Sequence, residues 1–196
     1  MSFAGVEAIL ADASVDFYTC SLYVHLTERG KIASQHSNQR RNEMANACDV
    51  ARYILDRLAP DRYGSRLTAW KLQKLVYYSQ AWSLVWDDAP LFDDEIQAWA
   101  NGPVVPALYR EHRGRFQLFA GDIPGNPENL TEDQRDTINV VLEFYGDKSP
   151  QWLSDLTHME APWRDARAGI PDGASSQRAI TPEAMAAYYE SLGQGE

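Results

Sequence analysis

Cysteine is scarce: Cys20 and Cys48 are the two in 196 residues, and they stand outside any CxxC spacing. That argues against both a disulfide scaffold and a zinc module built on paired thiols. No apolar run approaches the roughly 20 residues needed to cross a bilayer. The opening stretch Met1–Glu7 has no basic segment followed by an apolar one, so it does not read as a secretory signal. The expected location is the cytoplasm.

Positive charge is scarce too. Eighteen Lys and Arg face 28 Asp and Glu, a formal net charge of −10, and residues 44–196 alone carry −9 from fourteen against twenty-three. Nonspecific attraction to nucleic acid or anionic lipid needs the opposite sign, so neither is an expected partner. An acidic body draws a basic partner, or it serves solubility alone; composition leaves both readings open.

Signatures of catalysis are missing as well. The histidines, His25, His36, His112 and His158, form no i, i+4 pair and no HExxH motif. His158 near Glu160 and His112 beside Glu111 are the candidates for acid–base work, each with the simpler reading of a hydrogen-bonded or surface histidine. Ser79, Ser83 and Ser154 lack the GxSxG elbow. Asp93-Asp94-Glu95 matches a cation ligand set in composition only and reads as a solvated turn. No glycine-rich phosphate loop occurs. The expectation is no catalytic residue, no metal and no cofactor.

What is present is an ordinary globular composition, 44% hydrophobic and 23% charged, in two unequal parts. Residues 1–43 read as an N-terminal extension. Its apolar fragments, such as Phe17-Tyr18 and Leu22-Tyr23-Val24, precede a polar stretch from Lys31 to Glu43 too poor in apolar residues to form a core. Val15 to Leu26 fits a strand or a helix. The alternative is that translation starts at Met44, with Arg40-Arg41 encoded by purine-rich codons acting as a ribosome-binding sequence; the nucleotide sequence decides.

Residues 44–196 carry clear helix signals. Val50, Ile54, Leu55 and Leu58 share one face of a helix that Pro60 stops. Thr68 is placed to cap the next, with Leu67 and Leu72 stapling across it, and that helix runs to about Trp86. Leu72, Leu75, Val76, Ser79, Trp82 and Trp86 keep its helical period, while Tyr77, Tyr78, Ala81 and Val85 widen the apolar stripe. This spacing predicts a central helix buried on more than one side. Asp87-Asp88-Ala89-Pro90 is turn chemistry, and Phe92, Ile96, Ala98 and Trp99 predict an extended segment or short hairpin around residues 90–101. Pro103 or Pro106 then starts a helix through Tyr109 and His112. A loop follows from Gly121 to Pro127. Later helices begin at Thr131-Glu132-Asp133-Gln134, a capping box whose helix Gly146 ends, at Ser149-Pro150 and at Thr181-Pro182-Glu183. Pro162-Trp163-Arg164 predicts a short helix with its Trp turned inward. The fold class is mainly α: a compact single-domain helical bundle with one short extended element.

Two features raise the question of a partner. Adjacent Tyr77 and Tyr78 point about 100° apart on a helix, which predicts that one of them reaches an exposed, partner-facing edge. Lys71 and Lys74 share a face by i, i+3 spacing and either bind an acidic partner or are simply solvated. Gly102-Pro103-Val104 reads as a chain reversal at a helix start.

The run Lys71-Leu72-Gln73-Lys74-Leu75-Val76-Tyr77-Tyr78-Ser79-Gln80-Ala81-Trp82 is followed by Pro90-Leu91-Phe92, Ile96-Gln97-Ala98-Trp99, Gly102-Pro103-Val104-Val105-Pro106 and Tyr109. Further on come Val141 to Tyr145, Gly146, Leu153, Leu156, Thr157-His158 and Pro162-Trp163. In this order, over about residues 46–190, the chain resembles the Panacea antitoxin domain, also called SocA-like and found in phage-associated proteins. The resemblance implies a mostly helical domain that neutralises a cognate toxin encoded beside it; family members pair with toxins of unrelated folds. It casts Leu72, Gln73, Leu75, Tyr77, Trp82, Phe92, Trp99 and Trp163 as a structural motif. Lys71, Lys74, Tyr78, Gly102, Pro103 and Val104 are the partner-binding candidates. Residues 1–43 resemble no helix-turn-helix module. The expected function is neutralisation by direct binding. The alternatives are an adaptor that delivers a partner to a protease, or a hydrolase centred on His158 or His112.

Overall fold

The computed structural model describes residues 45–60 and 66–192. The expectations for residues 1–43, and for a start at Met44, lie outside the described residues. Helix α1 (Ala47–Leu58) begins at Asn46, whose side chain accepts from the amides of Cys48 and Asp49. The Asp49 carboxylate returns to the Asn46 amide, completing a capping box, and also takes the Asn126 amide and the Asn129 side chain. One buried acid thus caps a helix and anchors a loop some eighty residues away.

Strand β1 (Leu67–Thr68) leads directly into α2 (Ala69–Trp86), capped as expected by the Thr68 hydroxyl, which accepts from the Lys71 amide at 3.2 Å. Every residue of α2 from Leu72 to Ser83 is buried. The helix is enclosed by α1, by α4 (Glu132–Tyr145), α5 (Pro150–Met159) and α7 (Pro182–Leu192), and by a hairpin. A helix with no solvent face has no edge for a tyrosine, so Tyr77 and Tyr78 are both fully buried, and the partner-facing edge expected for one of them does not exist.

The hairpin consists of β2 (Ile96–Trp99) and β3 (Gly102–Val104), paired antiparallel with Ala98 opposite Pro103. The late strand β5 (Ala179–Ile180) adds to β2, giving the order β3-β2-β5. Pro103 therefore lies in a strand, and the helix start once open between Pro103 and Pro106 falls to Pro106, at the head of α3 (Pro106–His112). The reason is positional: β3 is an edge strand, where the missing proline amide breaks no ladder bond. Gly102 turns the hairpin at φ +100°, a left-handed value that favours glycine. Strand β4 (Gln117–Leu118) pairs with β1, and two 3-10 turns, Ala120–Asp122 and Pro127–Asn129, occupy the expected loop. Thr131, Ser149 and Thr181 cap α4, α5 and α7 through their hydroxyls, and Trp163 sits in the short α6 (Ala161–Ala166). Among the described residues there are seven α-helices and only small antiparallel sheets, a mainly α fold.

Polar residues of α2 are matched to backbone outside the helix. The Gln80 carboxamide accepts from the amides of Leu91 (2.9 Å) and Phe92 (3.1 Å) and donates to the Phe92 carbonyl at 3.0 Å. The Ser83 hydroxyl donates to the Ala89 carbonyl. Between them they fix the non-helical stretch after α2 against the helix it has just left. Gln80→Leu leaves those backbone groups buried and unpaired, so urea unfolding should show a loss of about 2–3 kcal/mol. A loss under about 0.5 kcal/mol would contradict this account of the segment.

Candidate functional site

The hairpin is held by donors from several separate elements. Arg167, buried just beyond α6, donates to the Ala98 carbonyl at 2.9 Å, and the Trp163 indole donates to the Trp99 carbonyl at 2.9 Å. Trp70 and Ser154 both donate to the Asn101 carbonyl, each at 3.2 Å, and Lys74 donates to the Pro103 carbonyl at 3.0 Å. Gln73 follows at the end of the strand: its oxygen accepts from the Val105 amide at 2.8 Å, and its amide nitrogen donates to His112 Nε2 at 2.9 Å. A backbone that would otherwise need water is thereby satisfied by side chains alone. Arg167 also donates to the Ala174 carbonyl and stacks over Trp163, which fixes the loop leading to β5.

The rigid hairpin forms one wall of a cleft of about 710 Å³, a size that suits a small ligand or an inserted side chain. Ala69, Trp70, Gln73 and Lys74 of α2 line it, and the hairpin contributes Trp99 through Asn101 and Val104. Tyr109 and His112 come from α3, Arg115 and Phe116 from the loop before β4, and Ser175 to Gln177 from the loop that Arg167 anchors. Phe116 is 73% exposed, one of two large hydrophobic side chains left in solvent among the described residues. No Asp or Glu lines the cleft.

The expected site residues divide by position. Val104 lines the cleft, while Gly102 and Pro103 are buried in the wall behind it. Lys74 is 0% exposed, so the solvated face it was expected to share with Lys71 is overturned; burial lowers its amine to a pKa of about 7. Lys71 is half-buried, donating to the Gly146 carbonyl at 2.6 Å, and its pKa is likewise lowered by burial. Tyr78 lies within the core. The burial of α2 expected on more than one side extends all round it from Leu72 to Ser83, which leaves no exposed edge for Lys74 or Tyr78. Of the motif residues, Leu72, Leu75, Tyr77, Trp82 and Phe92 are core, whereas Gln73, Trp99 and Trp163 build the clamp and the cleft.

Neither acid–base pair suggested by sequence forms. His112 bonds to Gln73, not Glu111, and burial lowers its pKa, which favours the neutral ring. His158 stacks on Trp163, with ring centroids 4.1 Å apart, while Glu160 turns into a cage of tyrosines. There Tyr189 donates to its carboxyl at 2.8 Å and Tyr78 at 3.3 Å. Burial raises Glu160 to a pKa of about 8, more than the two hydroxyls can offset. Asp94 accepts from the Ala47 amide at 2.8 Å, and no group of three or more metal-ligating side chains occurs among the described residues. Arg167 was not singled out from the sequence, and Glu160 was considered only as a partner of His158, not as the centre of a tyrosine cage. A glutamate beside an apolar helix, and an arginine ahead of a Gly-Ile-Pro loop, were the available signals.

Compared with known proteins, residues 72–164 match the family model described as "Antitoxin SocA-like, Panacea domain". No curated protein and no solved structure matches the chain. The matched segment runs from α2 to α6 and holds most of the cleft lining, the hairpin, and the clamp residues Lys74, Ser154 and Trp163, while Trp70 and Arg167 fall outside it. No described helix is long and apolar enough to cross a membrane.

Two outcomes follow from this geometry. A β-carbon at Gly102 would sit 2.6 Å from Lys74 Cε and 2.9 Å from Thr157 Oγ1, on a backbone already at φ +100°. Gly102→Ala should therefore lose at least about 2 kcal/mol in chemical unfolding, and a neutral result would contradict the close packing. Glu160 has its folded pKa raised from 4.5 to about 8, so the folded chain keeps a proton that the unfolded chain releases. Its contribution to stability is complete below pH 4.5 and is lost as pH rises through about 8. Glu160→Gln keeps the tyrosine contacts without ionising, so its stability relative to the parent should climb between pH 5 and 9. A difference that stays flat across that range would show that Glu160 does not carry the shift.

Proposed function

We propose that this chain, whose residues 72–164 match the SocA-like Panacea antitoxin domain, is an antitoxin that neutralises a cognate toxin by direct, stoichiometric binding. The observation that carries the proposal is the coincidence of that match with the cleft: the matched residues supply most of its lining, including the exposed Phe116. A large apolar side chain in solvent beside a rigid concave surface is the arrangement of a protein-docking anchor. Neutralisation of this kind breaks no bond and needs no cofactor. The described region from Ala45 to Leu192 serves as the binding domain, working in the cytoplasm on a toxin encoded next to it. Gly102 and Pro103 act in this scheme by shaping the wall, Lys74 by holding it, and Val104 by contact.

Rigidity of the cleft favours masking, because a preformed surface loses little conformational entropy when the toxin docks. Co-expression of the full chain with the product of the adjacent gene tests this directly. Growth should recover, the two proteins should copurify in fixed stoichiometry, and toxin abundance should hold or rise. Phe116→Glu should weaken the complex at least about tenfold, equivalent to about 1.4 kcal/mol, without lowering the chain's own stability. Rescue accompanied by a shortened toxin half-life would replace masking with delivery to a protease. An adjacent toxin left fully active would overturn the proposal.

A further inference from the structure

The charge of the cleft runs against the charge of the chain. With 28 acidic residues in the sequence and a net charge of −10, a lining drawn at random from this surface would include several carboxylates. It includes none, and it does include Lys74, Arg115 and His112. Arg115 is spoken for in part by Asp122 at 2.8 Å, but Asp122 stands outside the lining. Lys74 has no such partner: its hydrogen bond goes to a neutral carbonyl, and burial alone accounts for its shifted titration, with no carboxylate acting on it. Lys74 lines one side of the cleft but is 0% exposed, its amine bonded to the Pro103 carbonyl, whereas the Arg115 side chain is half-exposed and open to an entering ligand. The walls add Trp70, Trp99, Tyr109 and Phe116, which offer ring faces and edges for stacking. Donors and acceptors from Asn101, Ser175, Ser176 and Gln177 ring the mouth.

We propose that this cleft is a binding site for a small aromatic anion, a planar ring carrying a phosphate or carboxylate, stacked on the aromatic lining with its charge toward Arg115 and the side of the cleft that covers Lys74. The volume of about 710 Å³ accommodates a ligand of mononucleotide size. Binding draws a proton onto Lys74, because an anion nearby stabilises the ammonium that burial disfavours. The site lies on the face proposed for toxin docking but does not depend on it. Its test needs no toxin, so either reading can fail while the other stands.

The full chain is titrated with AMP and with indole-3-acetate as ring-plus-anion probes, against adenosine and indole as ring-only controls and inorganic phosphate as the anion alone. Tryptophan fluorescence and thermal unfolding report binding. The two anions should quench fluorescence and raise the melting temperature, with the uncharged counterparts at least about tenfold weaker and phosphate alone weaker still. Calorimetry at pH 8 in two buffers of different ionisation enthalpy should register proton uptake that Lys74→Met abolishes. Arg115→Gln, at an exposed position and with its fold checked by thermal unfolding without ligand, should weaken both anions about tenfold while leaving adenosine unchanged. No response to either anion at millimolar concentration overturns the proposal. So does equal binding of charged and uncharged probes, or anion binding unaltered in both variants.

Discussion

A helix closed off from water along most of its length needs partners for its polar side chains, and four of those in α2 find them in non-helical backbone. Gln80 takes the amides of Leu91 and Phe92, Ser83 the carbonyl of Ala89, Lys74 that of Pro103, and Gln73 the backbone of Val105. Each bond satisfies two groups at once, a side chain of the helix and a stretch of chain with no secondary-structure partner of its own. The polar residues of this helix are thus the reason the segments around it have defined positions. Apolar packing supplies the driving force, while these bonds choose among the ways of packing.

The cleft is a by-product of that arrangement. The hairpin stands as a wall because Arg167, Trp163, Trp70, Ser154 and Lys74 hold its carbonyls, and the opposing loop at Ser175 to Gln177 is placed by the same Arg167. Much of what forms the surface is invisible from the surface. Within the matched segment Gln73 and Trp163 brace the hairpin wall and Gly102 makes its turn. An acidic body with an acid-free recess presents two electrostatic characters to a partner.

Helix starts were legible because capping is local. Thr68, Thr131, Ser149 and Thr181 each sit next to the amide they accept from, so a few residues of sequence contain the whole interaction. An extended segment or hairpin was legible from Phe92, Ile96, Ala98 and Trp99, but Gly102-Pro103-Val104, read as a reversal at a helix start, proved to be the second strand of the hairpin. The orientation of Lys74 was not. A lysine on a helix is ordinarily solvated, and only the third-dimensional neighbours α5 and β3 close over this one. The same holds for Glu160, whose tyrosine partners come from positions 29 and 82 residues away in the chain. The rule that failed for Tyr77 and Tyr78 was an assumption that every helix keeps one wet face.

The tyrosine cage also has a temporal side. Tyr189 meets the Tyr77 hydroxyl across 112 residues of sequence, and α7, which carries it, is the last of the described helices to be synthesised. While the ribosome is still translating the middle of the chain, α2 has neither its final cover nor a home for Glu160. Long-range closure of this kind is slow relative to helix formation. The nascent polypeptide thus completes the cover of α2 only once α7 has been made, and chains terminated before α7 lack it.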